Sequence, residues 1–426
     1  MSARGETKTV AAIILAAGRG ERMNTDLPKV AHEAAGQALV NHVIDAVQGA
    51  GVDRVGVVVS DLNSPIRSFL NGAEPVLQKQ RLGTGHALLQ ARKRFGGWKG
   101  PLLVLPADAP CVRVETLTEM IHRHRRSGAS ATILTSDLGD PTGYGRILRR
   151  GEEIIGIREH LDASESEREI TEVNSGIYLF DAPALFGQLS AVRRNARKQE
   201  YYLTDVIEKL RQSGKKIRAY RVSDSREIIG VNTRRDLAKA HQILSERELE
   251  RHSKAGVTIL DPSKTYIAKG VRIGRDTVVH PFSWIDRDVR IGARCEIGPF
   301  AKIRSGSRIG NETVIGSFVE LVRSKVGANT FVKHLSYLGD AKVGKQVNIG
   351  AGTITANFDG RRKHKTTIRD RAQLGCDTIL VAPVTVGRGA KTGAGAVVCA
   401  GQFVPAGKTA VGIPARVLEK KKGSKK

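Results

Sequence analysis

The sequence predicts an α/β chain in two parts: a mostly parallel β-sheet covered by helices, then a parallel β-helix. Three observations carry this. Short β-branched runs alternate with helical patterns in the first half, as in sheets with helices on both faces. From Ile267 onward, aliphatic residues recur at every sixth position. Charge also divides unevenly: residues 1–255 hold 39 basic and 31 acidic side chains, whereas residues 256–426 hold 30 and 12, with 23 of the 46 glycines in that shorter second part.

Residues 10–16, 54–60, 102–105 and 131–135 read as buried strands, and residues 39–47, 85–94 and 115–124 as the helices between them. Ligands of such a sheet bind at the carboxyl ends of its strands. Residues 234–253 place Leu237, Ala240, Ile243 and Leu244 at helical spacing among charges, which reads as an amphipathic connecting helix. Then Ile267, Ile273, Val279, Ile285, Ile291, Ile297, Ile303, Ile309, Ile315 and Leu321 keep a strict six-residue beat. The beat slips by one residue, resumes at Val326, Val332 and Leu338, slips again to Val343 and Ile349, and returns at Ile368, Leu374, Leu380 and Val386. A fixed period over so many intervals is the mark of a solenoid whose aliphatics point into a prism. Residues 355–366 interrupt the beat as a loop would. The expected layout is a first domain over 1–232, a linker helix over 233–255, a β-helix over 256–416 and a basic tail over 417–426.

With 426 residues, one core is unusual and two domains are the expectation. The apolar content of 40% excludes disorder throughout, and no apolar run reaches the roughly 20 residues of a membrane span. The first residues show no apolar block before a cleavage site, so a cytosolic protein without membrane insertion is expected. Cys111, Cys295, Cys376 and Cys399 are far apart and lack CxxC spacing, which supports neither a disulfide framework nor a cysteine zinc site.

After the first strand stands Leu15-Ala16-Ala17-Gly18-Arg19-Gly20-Glu21-Arg22-Met23, then Leu27-Pro28-Lys29. Glycines at a strand end let backbone N–H groups approach phosphate oxygens, and Arg22 and Lys29 can neutralise them. Met23 occupies the place of the third glycine of a dinucleotide fingerprint, so that motif is excluded. Further on come Gln78, Leu82-Gly83-Thr84-Gly85-His86, Asp108, Gly143-Tyr144-Gly145-Arg146, Glu159, Asn174 and Asn232.

In this order, these residues resemble the sugar-phosphate nucleotidyltransferases. With the six-residue repeat, nearly the whole chain resembles the GlmU family of bifunctional N-acetylglucosamine-1-phosphate uridylyltransferases and glucosamine-1-phosphate acetyltransferases. The resemblance implies a Rossmann-like nucleotidyltransferase domain and a left-handed parallel β-helix. It implies that Leu15, Ala16, Ala17 and Gly18 hold the nucleotide, that Gln78, Gly83 and Thr84 read uracil, and that Gly145, Glu159 and Asn174 hold the N-acetylglucosamine moiety. Asp108 and Asn232 resemble Mg²⁺ ligands, and hard oxygen donors with substrate phosphates suit magnesium. Arg22 and Lys29 would stabilise departing pyrophosphate from UTP. The attacking N-acetylglucosamine 1-phosphate is already ionised, so positioning and charge neutralisation suffice. One departure is Pro106-Ala107, where the family has Tyr-Gly before the Asp.

In the second half, Lys333-His334-Leu335-Ser336-Tyr337-Leu338-Gly339-Asp340 and Asn348-Ile349-Gly350-Ala351-Gly352-Thr353 resemble the family's acetyltransferase site. Acetyl transfer from acetyl-CoA to an amine needs a base near neutrality, and His334 is the candidate. By resemblance, Arg304, Tyr337, Asn348 and Lys363 bind glucosamine 1-phosphate, while Ala351, Asn357, Phe358, Cys376 and Ala394 sit at acetyl-CoA positions. The family also implies a homotrimer. Departures are Val322 in place of a Lys, Phe358 in place of a Tyr, and the ending Val411-Gly412-Ile413-Pro414-Ala415-Arg416, which is closer to generic hexapeptide acyltransferases. Arg323 follows Val322 at once. An alternative is a monofunctional sugar nucleotidyltransferase whose β-helix trimerises or acylates another amino sugar.

The net charge of +26, with five lysines among residues 419–426, exceeds what these substrates need. Nonspecific polyanion binding, and a basic nucleic-acid-binding protein as the alternative of another class, follow from that excess. The scarcity of aromatics, 4%, argues against base-stacking platforms, so the expectation is a solvated basic surface.

Overall fold

The computed structural model describes residues 9–18, 20–62, 65–195 and 199–418. Arg19 and the lysine-rich residues 419–426 lie outside the described residues. Two compact units result, Met1–Ile243 and Leu244–Lys426.

The first unit is built on a nine-stranded sheet. Its main path runs Ile217–Arg221, Ala131–Asp137, Glu172–Asp181, Pro101–Pro106, Ala11–Leu15, Arg54–Val59, Glu74–Leu77. The four runs expected as strands are strands, and their apolar continuity reflects burial on both faces. Helices Leu39–Gly49, Thr84–Phe95 and Val114–Ser127 stand where helical patterns were read. Two separate hydrophobic clusters lie in this unit: Val43 and Leu117 belong to one, Leu88 and Phe180 to the other. The pairing is parallel from Pro101–Pro106 through Ala11–Leu15 and Arg54–Val59 to Glu74–Leu77. Glu172–Asp181 is inserted antiparallel between Pro101–Pro106 and Ala131–Asp137, and it carries the hairpin Gly145–Arg150 and Glu153–Arg158.

Helix Arg234–Lys254 contains the boundary between the units. Within the first unit, Arg234 Nε donates to the Met23 carbonyl at 3.1 Å. Within the second, Leu249 joins the prism core and Arg251 donates to the Val271 carbonyl at 3.1 Å.

The second unit is a parallel β-helix with three sheets of six, eight and eight strands. Ile267 pairs with Ile285 and Ile285 with Ile303, so three hexads make one coil. The aliphatics of the beat are nearly all buried and form one cluster. Corner hydroxyls are satisfied across coils: Thr277, Thr313 and Thr330 donate to the carbonyls of Gly292, Gly327 and Gly344 at 2.9, 3.0 and 2.9 Å. Small residues at the corners are a steric demand. A Cβ on Gly310 would lie 2.5 Å from the Ala328 nitrogen of the next coil. Among the described residues, no helix is long and apolar enough to cross a membrane.

Candidate active site

At the carboxyl ends of the central parallel strands opens a cleft of about 970 Å³. Strand Ala11–Leu15 delivers Leu15, and the following loop delivers Ala17, Gly18 and Arg22. Gln78 follows strand Glu74–Leu77, while Gly83 and Thr84 begin the helix Thr84–Phe95. Asp108 follows strand Pro101–Pro106. Glu159, Asn174 and Asn232 complete the set in the same lining. Ala16 and Gly145 are not part of that lining. The Ala16 N–H donates to the Val58 carbonyl at 2.9 Å, and Gly145 is the strand partner of Asn174.

Local geometry explains the residue types. A Cβ on Gly18 would meet nothing within 4 Å, which leaves its backbone open to a ligand. Gly83 has φ +96°, and a Cβ there would stand 2.6 Å from the Tyr201 carbonyl oxygen. The turn is further tied by Gly85 N–H to that carbonyl at 2.8 Å, and by Leu203 N–H to Thr84 Oγ1 at 3.0 Å. Gly83→Ala is expected to destabilise this loop by about 1–3 kcal/mol and to raise the KM for the nucleotide more than it lowers kcat. Thermal unfolding and initial rates check this. Gln78 is buried and donates to the Gly83 carbonyl at 3.1 Å, so it is fixed relative to the turn.

The centre of the site is ionic. The Lys29 ammonium is in close contact with the Asp108 carboxylate and donates to Asn232 Oδ1 at 3.1 Å. The side chains of Lys29 and Asp108 are only 11% and 19% exposed, so the pair interacts with reduced solvent screening. Two hard oxygen donors therefore converge on one cationic group. Among the described residues, no group of three or more His, Cys, Asp or Glu could hold a metal by itself. The donor set thus fits a divalent ion that keeps water and takes phosphate oxygens from a substrate.

Sequence reasoning missed other lining residues. Tyr178, whose phenol burial pushes well above its ordinary range, accepts a hydrogen bond from Asn174 Nδ2 at 2.7 Å. Thr204 Oγ1 donates to Glu159 at 3.1 Å, and Arg81 adds a cation to the lining. Tyr178 and Asn174 meet because the pairing shifts register between them in strand Glu172–Asp181, a feature with no spacing signal. Pro106 lines the cleft where the resemblance led one to expect Tyr.

In the second unit, His334 ends strand Phe331–His334 and is exposed. This strand is the ladder neighbour of Asn348–Ile349, so His334 and Asn348 share one sheet. Tyr337 begins the next strand beside Glu320, which accepts from Arg304 at 3.3 Å. Tyr337 and Asn357 converge over Gly339, where an added Cβ would lie 2.7 Å from each. Lys363 bridges to Phe358 in the loop that interrupts the beat, and Asp359 holds that loop through the Arg361 and Arg362 N–H groups at 2.8 and 2.6 Å. Ala351, Cys376 and Ala394 follow one another on successive coils: the Asp377 N–H donates to the Ala351 carbonyl at 2.7 Å and the Gly395 N–H to the Cys376 carbonyl at 2.8 Å. Val322 is buried. The Arg323 guanidinium is engaged by Asp340 through two hydrogen bonds of 2.7 Å, and Asn357 donates to the same carboxylate at 2.5 Å. These donors hold the Asp340 carboxyl below its usual range.

Comparison with known proteins gives the same two-part division. Residues 12–173 match the MobA-like NTP transferase domain, and residues 288–323 match the bacterial transferase hexapeptide family of six repeats. The chain is 40% identical to a protein of Rubrobacter xylanophilus named "Bifunctional protein GlmU", over 100% of this chain and 97% of that one. Proteins of the same name from Oceanobacillus iheyensis and Halalkalibacterium halodurans are 42% and 40% identical, each over 91% of this chain and 93% of theirs.

Proposed function

Since this chain belongs to the GlmU family, we propose that its cleft transfers uridylyl from UTP to N-acetylglucosamine 1-phosphate, and that its β-helix transfers acetyl from acetyl-CoA to glucosamine 1-phosphate. The observation that carries the reading is the convergence of Asp108 and Asn232 on one cationic point, in a cleft that also gathers Gln78, Gly83, Thr84, Glu159 and Asn174.

In the first reaction, an ionised oxygen of the sugar phosphate attacks the α-phosphorus of UTP, the new P–O bond forms, and the bond to pyrophosphate breaks. The reactants are polyanions, so the protein's task is alignment and neutralisation of charge. Gln78, Gly83 and Thr84 hold the uracil, while Leu15, Ala17 and Gly18 present backbone to the phosphates. Arg22 and Lys29 take up charge on the leaving pyrophosphate, and Glu159, Asn174 and Gly145 orient the sugar. Asp108 and Asn232 would hold Mg²⁺, which would supply further charge neutralisation at the phosphates. Lys29, which contacts Asp108 and Asn232, stands where its ammonium would also meet a substrate phosphate.

In the second reaction, the amine of glucosamine 1-phosphate attacks the thioester carbon, and coenzyme A leaves as the thiol. The ammonium must first lose a proton, and His334 takes it. Arg304, Tyr337 and Lys363 bind the sugar phosphate and Asn348 the sugar, while Ala351, Asn357, Phe358, Cys376 and Ala394 receive coenzyme A. Arg323, next to Val322, has its guanidinium engaged by Asp340.

A homotrimer is part of this reading. Phe282, Phe300, Phe318 and Leu335 form a ridge along one prism corner, the aromatic rings stacked at 4.9 Å, with 44–64% of each residue exposed. Such an apolar row is suited to burial against a second copy.

Two assays on the purified chain test the proposal. Pyrophosphate release is expected with UTP and N-acetylglucosamine 1-phosphate, and free thiol release with acetyl-CoA and glucosamine 1-phosphate. Thiol release without pyrophosphate, or neither, would contradict the first activity. Pyrophosphate alone would favour the monofunctional alternative.

A further inference from the structure

The excess positive charge of the second unit is ordered. Its three sheets present very different outward rows. One sheet shows Thr258, Val278, Glu296, Val314, Phe331 and Asn348, and a second shows Tyr266, Trp284, Lys302, Glu320 and Tyr337. The third shows Arg272, Arg290, Arg308, Lys325 and Lys342, each paired in register with the next. All five are exposed, and none makes an ion pair among the described residues.

With coils about 4.8 Å apart, the five cations form a straight row about 19 Å long. Like charges directly opposite one another on neighbouring strands are destabilising, so folding alone does not favour such a row. Nor is this face suited to burial against a copy of itself, since uncompensated charges are costly to desolvate. The chemistry proposed above does not use it, because none of the residues assigned there to uridylyl or acetyl transfer lies in the row.

We propose that this face is a track for the phosphodiester backbone of a single-stranded nucleic acid, bound without reading its bases. A flexible strand can follow a straight row of cations and set its phosphates against the guanidinium and ammonium groups along it. The absence of aromatic side chains among these five rungs removes the usual stacking platform, so the interaction is electrostatic and indifferent to sequence.

The test uses the full chain and a fluorescent 20-nucleotide single-stranded DNA of mixed sequence, with binding measured by anisotropy across a range of salt concentrations. Engagement of five phosphates gives a slope of log K against log salt of about −3.5. In the variant R290S/R308S/K325S the slope is expected to fall to about −1.4, with affinity at low salt lower by at least about tenfold. The control R388S/K408S/R416S removes the same charge elsewhere on the unit and is expected to keep the slope. Unchanged pyrophosphate release and thermal unfolding in both variants establish that they are folded. Equal slopes in the two variants would overturn the proposal, as would a preference among sequences that survives at constant salt. Binding of polyglutamate through the same residues with no DNA binding would assign the face to an acidic protein and overturn it likewise.

Discussion

Asp108→Ala is expected to reduce pyrophosphate release by about 10³-fold or more while thiol release from acetyl-CoA stays at the wild-type rate. The carboxylate is the only anionic member of the pair that converges with Asn232 on a cation, and its neighbour Lys29 is largely buried. Removing it would delete a proposed metal donor and leave the Lys29 ammonium without its carboxylate partner. A single preorganised charge-stabilising group is worth about 10²–10³ in rate, and loss of the ion it holds adds to that. Asp108→Asn keeps the shape and removes the charge. It should therefore share the rate defect and need far more magnesium for half-maximal activity. Equal magnesium dependence in wild type and Asp108→Asn would remove Asp108 from the metal site.

The second large effect is the converse. His334→Ala is expected to lower thiol release by about 10²–10⁴-fold, the range typical for loss of a general base, and to leave pyrophosphate release unchanged. His334 is exposed at the end of strand Phe331–His334, on the same sheet as Asn348, and its substitution removes no core packing. The defect should shrink as pH rises, because a growing fraction of the substrate amine is then already deprotonated. A pH-independent defect would indicate that His334 positions the substrate instead of taking its proton. Loss of both activities in a folded His334→Ala protein would contradict two separate sites.

The reach of the sequence differed between the two halves for physical reasons. In the prism, every sixth side chain meets the same environment, so Ile267 through Leu321 announce both the fold and the inward face. In the sheet, Ala11–Leu15, Arg54–Val59 and Pro101–Pro106 were legible because strands buried on both faces are continuously apolar. Glu172–Asp181 is as well buried but interleaves Glu172, Asn174 and Ser175 with its apolar residues, and its antiparallel insertion depends on which neighbours it pairs with, since composition does not encode strand direction. The cleft residues that follow a strand closely, such as Gln78 and Asp108, were reached through the family resemblance of their ordered motifs. Tyr178 and Thr204 were not, since each acts on a partner brought close only by the tertiary fold. Arg323 shows the same limit: its engagement by Asp340 follows from the register between successive coils, not from its place beside Val322.

The central claim is that triphosphate and metal are gripped at the carboxyl ends of the leading sheet. A crystal structure with UTP and magnesium measures this directly. The account predicts uracil against Gln78, Gly83 and Thr84, the ion between Asp108 and Asn232, and the Lys29 ammonium moved from Asp108 to a phosphate. Nucleotide bound elsewhere, with the contact between Lys29 and Asp108 intact, would contradict it.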